Sequence, residues 1–185
     1  MIRLFCAAEL PIEVRERLAG LAGGVPGARW TPMDNMHLTL CFIGNVPESD
    51  FPDINNALVR VRAQAFDLAI EGAGHFARGR VPSMLWAGVA HAPALDHLQE
   101  KVVVALERAG FDIDRRKYVP HVTLARLSRA SNARVWEFEA THGLLKIDPF
   151  TVDHFTLFSS FLGHGGAIYR AEARYPLARD GASSR

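Results

Sequence analysis

Two short segments repeat one pattern of chemically active residues: His37-Leu38-Thr39-Leu40 and His121-Val122-Thr123-Leu124. A His-x-Thr-Leu string is expected roughly 0.03 times by chance at this length and composition. Imidazole titrates near pH 6.5 when unperturbed, so one histidine of a pair can take a proton while the other gives one. Threonine hydroxyls can donate to phosphate oxygens and hold the group for in-line attack. Two histidines and two hydroxyls facing each other therefore suit phosphoester chemistry, with no carboxylate or metal required.

The elements around the motifs must bring them together. Each copy follows a helix and falls in a predicted strand. Alternation puts His37 and Thr39 on one face and Leu38 and Leu40 on the other, with the second copy arranged alike. Strands are expected at Ile2–Ala8, Met36–Ile43, Phe66–Ile70, Met84–Ala90 and Val119–Leu127. A final hairpin, Phe150–Phe158 with Ile168–Pro176, is expected to turn around Gly163, Gly165 and Gly166. Helices are expected after Pro11, from a Ser49 cap to about Arg62, from Pro93 to a stop at Gly110, and at Ser131–Ala140. Gly44–Pro47 reads as a break, Gly72–Pro82 as a loop, and 180–185 as a loose tail. This order predicts an α+β fold: one domain over 1–185, bilobal, its two pseudo-symmetric halves carrying antiparallel sheets around a central cleft, with helices outside.

Composition narrows the classes. The chain has 185 residues, 49% of them hydrophobic and 22% charged, and a net charge of +1. Those fractions fit a folded domain rather than a disordered one. No apolar run reaches the length of a membrane helix, and no secretory signal is visible, so a cytoplasmic protein is expected. Two cysteines, Cys6 and Cys41, read as reduced, buried thiols rather than a disulfide or metal framework. Residues 101–134 carry eight basic and three acidic side chains, a local surplus able to attract phosphate.

The paired motifs resemble those of the 2H phosphoesterases, most closely the RNA 2′,3′-cyclic phosphodiesterases, also called 2′-5′ RNA ligase-like proteins. The resemblance covers most of the chain. It includes Arg3-Leu4-Phe5, Glu9-Leu10-Pro11, Arg29-Trp30, Phe42-Ile43-Gly44, Leu85 to Val89 and Pro120 to Arg126. Leu157-Phe158, Ser160, Leu162, Gly166 and Tyr169 extend it to the end of the chain. It implies hydrolysis of a terminal 2′,3′-cyclic phosphate on RNA, or on a small cyclic nucleotide, to a 2′-phosphomonoester, with no cofactor. His37 would be the proton donor and His121 the acceptor. Thr39 and Thr123 would hold the phosphate. A monomer that makes no use of a membrane is expected.

One departure bears on the site. Where the family often has a basic residue after the first motif, this chain has Cys41, which alternation places on the His37 face. Arg126 follows the second motif. Strict alternation turns it away from His121, so a bulge or strand end must re-aim it if it is to touch phosphate. Phe5, Trp30 and Tyr118 are candidates to stack a terminal base, against the commoner role of packing. The other six histidines form no recognisable metal spacing and read as structural or surface. The rival readings are an RNA-end ligase, a non-catalytic RNA-terminus binding protein and a metallohydrolase.

Overall fold

The structure, a computed structural model, describes residues 1–163 and 166–179. Within them the strands are β1 (Ile2–Glu9), β2 (Ala28–Trp30), β3 (His37–Val46), β4 (Phe66–Arg78), β5 (Val81–Val89), β6 (His121–Leu127), β7 (Lys146–Val152), β8 (His154–Gly163) and β9 (Gly166–Pro176). The helices are α1 (Ile12–Ala19), α2 (Phe51–Val59), α3 (Pro93–Arg108) and α4 (Asn132–His142). The strands form one sheet in the order β7-β4-β5-β6-β3-β1-β8-β9, and β2 pairs with β6. Every ladder between these strands is antiparallel.

The order has an internal symmetry. The motif strands β3 and β6 meet in the middle, joined at the pair Leu38–Val122. Outward from them run β1, β8 and β9 on one side and β5, β4 and β7 on the other. The apolar sides of β3 and β6 belong to a single buried cluster that also takes in Leu95, Leu98 and Val102 of α3 and Val135 of α4. Leu38 and Val122 are fully buried. With the apolar face committed to the core, the histidine and threonine face is the one left open.

Several local expectations need correction. Ser49 does not cap α2: its hydroxyl donates to the Asp50 carboxylate (3.2 Å), and a 3-10 turn at Glu48–Asp50 precedes the helix. Gly44 does not end β3, which runs on to Val46. The stretch Gly72–Pro82 is not a loop, because β4 and β5 continue to within two residues of each other. Its glycines serve the sheet. Gly72 has φ +74° beside a register shift, and a Cβ on Gly74 would run into the Trp86 ring. The expected strand Phe150–Phe158 is two strands separated by Asp153, β7 pairing with β4 and β8 with β1. Ser131 does cap α4, accepting from the Arg134 amide at 3.3 Å. The expected loose tail and part of the Gly163–Gly166 turn lie outside the described residues.

Candidate active site

The Leu38–Val122 pair fixes where the polar groups fall. One step along the antiparallel register on either side brings Thr39 toward His121 and His37 toward Thr123, all four on the open face. Each histidine is anchored in the same way. His37 Nδ1 lies 2.8 Å from the Asn35 carbonyl, and His121 Nδ1 lies 2.7 Å from the Val119 carbonyl. A carbonyl can only accept, so Nδ1 carries the proton in both rings and Nε2 is left for chemistry.

The rings are also wedged against aromatics. Phe5 packs on His37 at 4.8 Å and Tyr169 meets it edge-on at 5.2 Å, while Phe76 stands edge-on to His121 at 4.8 Å. Burial pushes the His37 imidazole down to about 4, outweighing the hydrogen bond to Asn35, and the charge of His121 lowers it further. Burial lowers His121 as well, against its bond to Val119. Both shifts favour the neutral imidazole at pH 7.

Backbone irregularity shapes the rest. Leu85 pairs with Ala125 but Trp86 pairs with Thr123, so β6 carries one extra residue, Leu124. This bulge turns Arg126, paired with Met84, onto the face of Thr123 and His121. The re-aiming that alternation alone denies to Arg126 is therefore present. The first motif has the matching bulge at Leu40, since Cys6 pairs with Cys41 and Ala7 with Thr39. Cys41 is consequently not on the His37 face as alternation suggested. It is 7% exposed in the core beside Cys6. Phe42, five residues after His37 as Arg126 is after His121, takes the open face and is 58% exposed.

The remaining candidates fall as follows. Thr123 donates its hydroxyl to the Met84 sulfur at 3.5 Å, a weak acceptor that a phosphate oxygen would displace. Phe5 is 3% exposed and backs the His37 ring instead of presenting a free surface. Tyr118 spends its hydroxyl on the Thr39 carbonyl (3.0 Å), tying the approach to the second motif onto the first. Trp30 pairs with Ala125 on the core side and packs on Phe138 of α4. His75 pairs with Glu139, and His154 pairs with Asp153 and with Glu9, the cross-strand partner of His37. Among the described residues no group of three or more His, Cys, Asp or Glu could hold a metal ion, and no helix is long and apolar enough to cross a membrane.

Sequence reasoning passed over Phe42, Phe76 and Trp86 as neighbours of the motifs. A signal was available. Leu40-Cys41 and Leu124-Ala125 each place two apolar residues side by side in an otherwise alternating strand, the mark of a bulge.

An antiparallel α+β sheet with two anchored His-x-Thr pairs on one open face defines a phosphoesterase-type site. The chain belongs to the family described as LigT like Phosphoesterase, whose profile matches residues 9–86 and 89–169. A Thermotoga maritima protein named RNA 2′,3′-cyclic phosphodiesterase is 31% identical over 175 residues, covering 91% of this chain and 92% of that protein. A relative of the same name from Geobacillus stearothermophilus is 33% identical, and that match spans 66% of this chain and 41% of that protein. The crystal structure of E. coli LigT complexed with 3′-AMP superposes with a TM-score of 0.76 at 30% identity, covering 95% of this chain and 98% of that one.

Proposed function

We propose that this chain hydrolyses a 2′,3′-cyclic phosphodiester at an RNA end to a 2′-phosphomonoester, by acid–base catalysis between His37 and His121. The observation that carries the reading is the pair of His-x-Thr motifs on one face about Leu38–Val122, each imidazole held by its Nδ1–H. The names of the relatives and the bound 3′-AMP in the E. coli protein support a ribonucleotide phosphate as the substrate class.

In this mechanism Thr39 and Thr123 hold the non-bridging phosphate oxygens, and Arg126 adds a positive charge from the Thr123 side. His121 Nε2 takes a proton from water as its oxygen bonds to phosphorus. The bond from phosphorus to the 3′ oxygen breaks, and His37, which takes a second proton from solvent onto Nε2 when the phosphate anion binds, passes that proton to the departing oxygen. The 2′ linkage remains, and proton exchange with solvent resets the two rings. In-line displacement needs base and acid on opposite sides of phosphorus, and one histidine from each motif strand supplies them.

One observation favours a reversed assignment. His37 is held down to about 4, which suits a base better than an acid. Reversal would release the 2′ oxygen and leave a 3′-phosphate.

The test is turnover of oligonucleotides ending in a 2′,3′-cyclic phosphate, with chelator present. His37→Ala and His121→Ala are each expected to cost about a hundredfold or more, and the double variant far less than the product of the two. A folded single variant with near-normal rates would refute the two-histidine mechanism. Phosphorus NMR of the product separates the two assignments.

A further inference from the structure

Arg29 and Arg126 stand directly opposite each other on β2 and β6, so both project on the open face in one row with Met84. Like charges in direct cross-strand register repel. Among the described residues neither guanidinium has an ion pair or side-chain hydrogen bond, and both are exposed. Asp34, in the turn leading into β3, is taken by Arg15. Two adjacent, uncompensated arginines form a site for an anion, and their planar forks suit phosphate.

The site's position says which anion. Met84 and Trp86 are two residues apart on β5, so the Arg29–Arg126 row lies about 7 Å from the Thr123 row along the strands. That is the scale of one nucleotide step beyond the reacting phosphate. The opposite end of the cleft holds exposed Phe42 and the half-buried Tyr118, with a single exposed arginine, Arg3, on the Phe5 face of β1, against two arginines in direct register here.

We infer that Arg29, together with Arg126, binds the phosphate on the 5′ side of the terminal nucleotide, so the enzyme prefers an RNA end to a free nucleoside cyclic phosphate. This rests on the proposed function, with the cyclic phosphate at the motifs. Arg29 acts on substrate selection, while Arg126 also serves the reacting group.

Calorimetry with two product-like probes tests this without needing turnover: adenosine 2′-phosphate and adenosine 2′,5′-bisphosphate. The native protein is expected to bind the bisphosphate about tenfold more tightly, the scale of one charge-assisted phosphate contact at an exposed site. Arg29→Gln is expected to abolish most of that preference, and Arg29→Lys to retain part of it. The salt slope of bisphosphate binding is expected to shrink by about 0.7 in Arg29→Gln, the loss of one single-strand phosphate contact. Equal affinity for both probes in the native protein, or a preference that survives Arg29→Gln, overturns the subsite. A preference that depends on Arg29 in a protein that turns over neither cyclic nucleotides nor RNA ends keeps the subsite and refutes the catalytic reading instead.

Discussion

A phosphodiester anion bound between the motifs moves the titration of His37. Burial holds this imidazole at about 4, against an ordinary 6.5, a difference of about 3 kcal/mol against the charged ring. An anion about 4 Å from the ring returns about 4 kcal/mol at an effective dielectric near 20. The two nearly cancel, so the occupied site restores His37 to the neutral range, where it can act as an acid at pH 7. Proton NMR of the ring signals measures this, with His37 assigned by its loss in His37→Gln. The expected midpoint is near 4 in the free protein and at least about two units higher when saturated with adenosine 2′-phosphate. A midpoint still below about 5 in the complex would refute the reasoning. His37 would then be deprotonated across neutral pH, the acid role would pass to His121, and the product would carry a 3′-phosphate.

The same histidines affect folding. Both are held below the ordinary pKa of about 6.5 that they have in the unfolded chain. Their neutral forms therefore contribute stability that is fully present above that pH and is lost as pH falls below it, down to about 4 for His37; a denaturation series over pH 7 to 4 is expected to flatten in His37→Gln. Glu9 loses its share lower down. Burial alone would raise its carboxyl, but hydrogen bonds from Arg174 and Thr156 and the charge of Arg174 hold it at about 2, so Glu9→Gln is expected to weaken the acid dependence only below pH ~4.5. Cys41→Arg, which by strict alternation would add a cation to the cleft, is expected to cost several kcal/mol in denaturant unfolding, because the charge would enter the core. Gly88→Ala is expected to cost about 3 kcal/mol and to reduce activity, since its Cβ would collide with the Glu71 backbone carbonyl on β4, beside the His121 pair.

Much of the site is legible because a duplicated polar pattern in an apolar strand has few explanations. The fold class follows from the order of helical and alternating segments. What the chain hides is where regularity breaks. Periodicity reading assumes two residues per repeat, so single-residue insertions at Leu40 and Leu124 reverse every later face assignment. That is why Cys41 was expected in the cleft and Arg126 outside it. Asp153 hides a larger event. The run from Phe150 to Phe158 has neither glycine nor proline to mark a break. Yet one residue there hands the chain from β7, paired with β4, to β8, paired with β1. The handover is held by contacts distant in sequence: the Leu177 amide donates to the Asp153 carbonyl, and Arg179 pairs with the Asp153 carboxylate, which also meets the neighbouring His154. Glycine misleads in the opposite direction. Gly72 and Gly74 read as loop, but one permits an irregular step in β4 and the other makes room for the Trp86 ring.

The two bulges also separate the chemistry from its orientation. They fall at the same point of each motif, so the duplication repeats the imidazole, its carbonyl anchor, the hydroxyl and the re-aimed residue beyond. The first three are the same in both copies. The fourth differs: Phe42 in one, Arg126 in the other. A symmetric pair of histidines would accept the ribose in either direction with similar ease, and either imidazole could serve as acid. Exposed Phe42 at one end of the cleft and two facing arginines at the other make the two ends unlike. Under the proposed function they would give the nucleobase and the next phosphate unlike places to go, and the direction in which RNA lies would decide which histidine meets the departing oxygen.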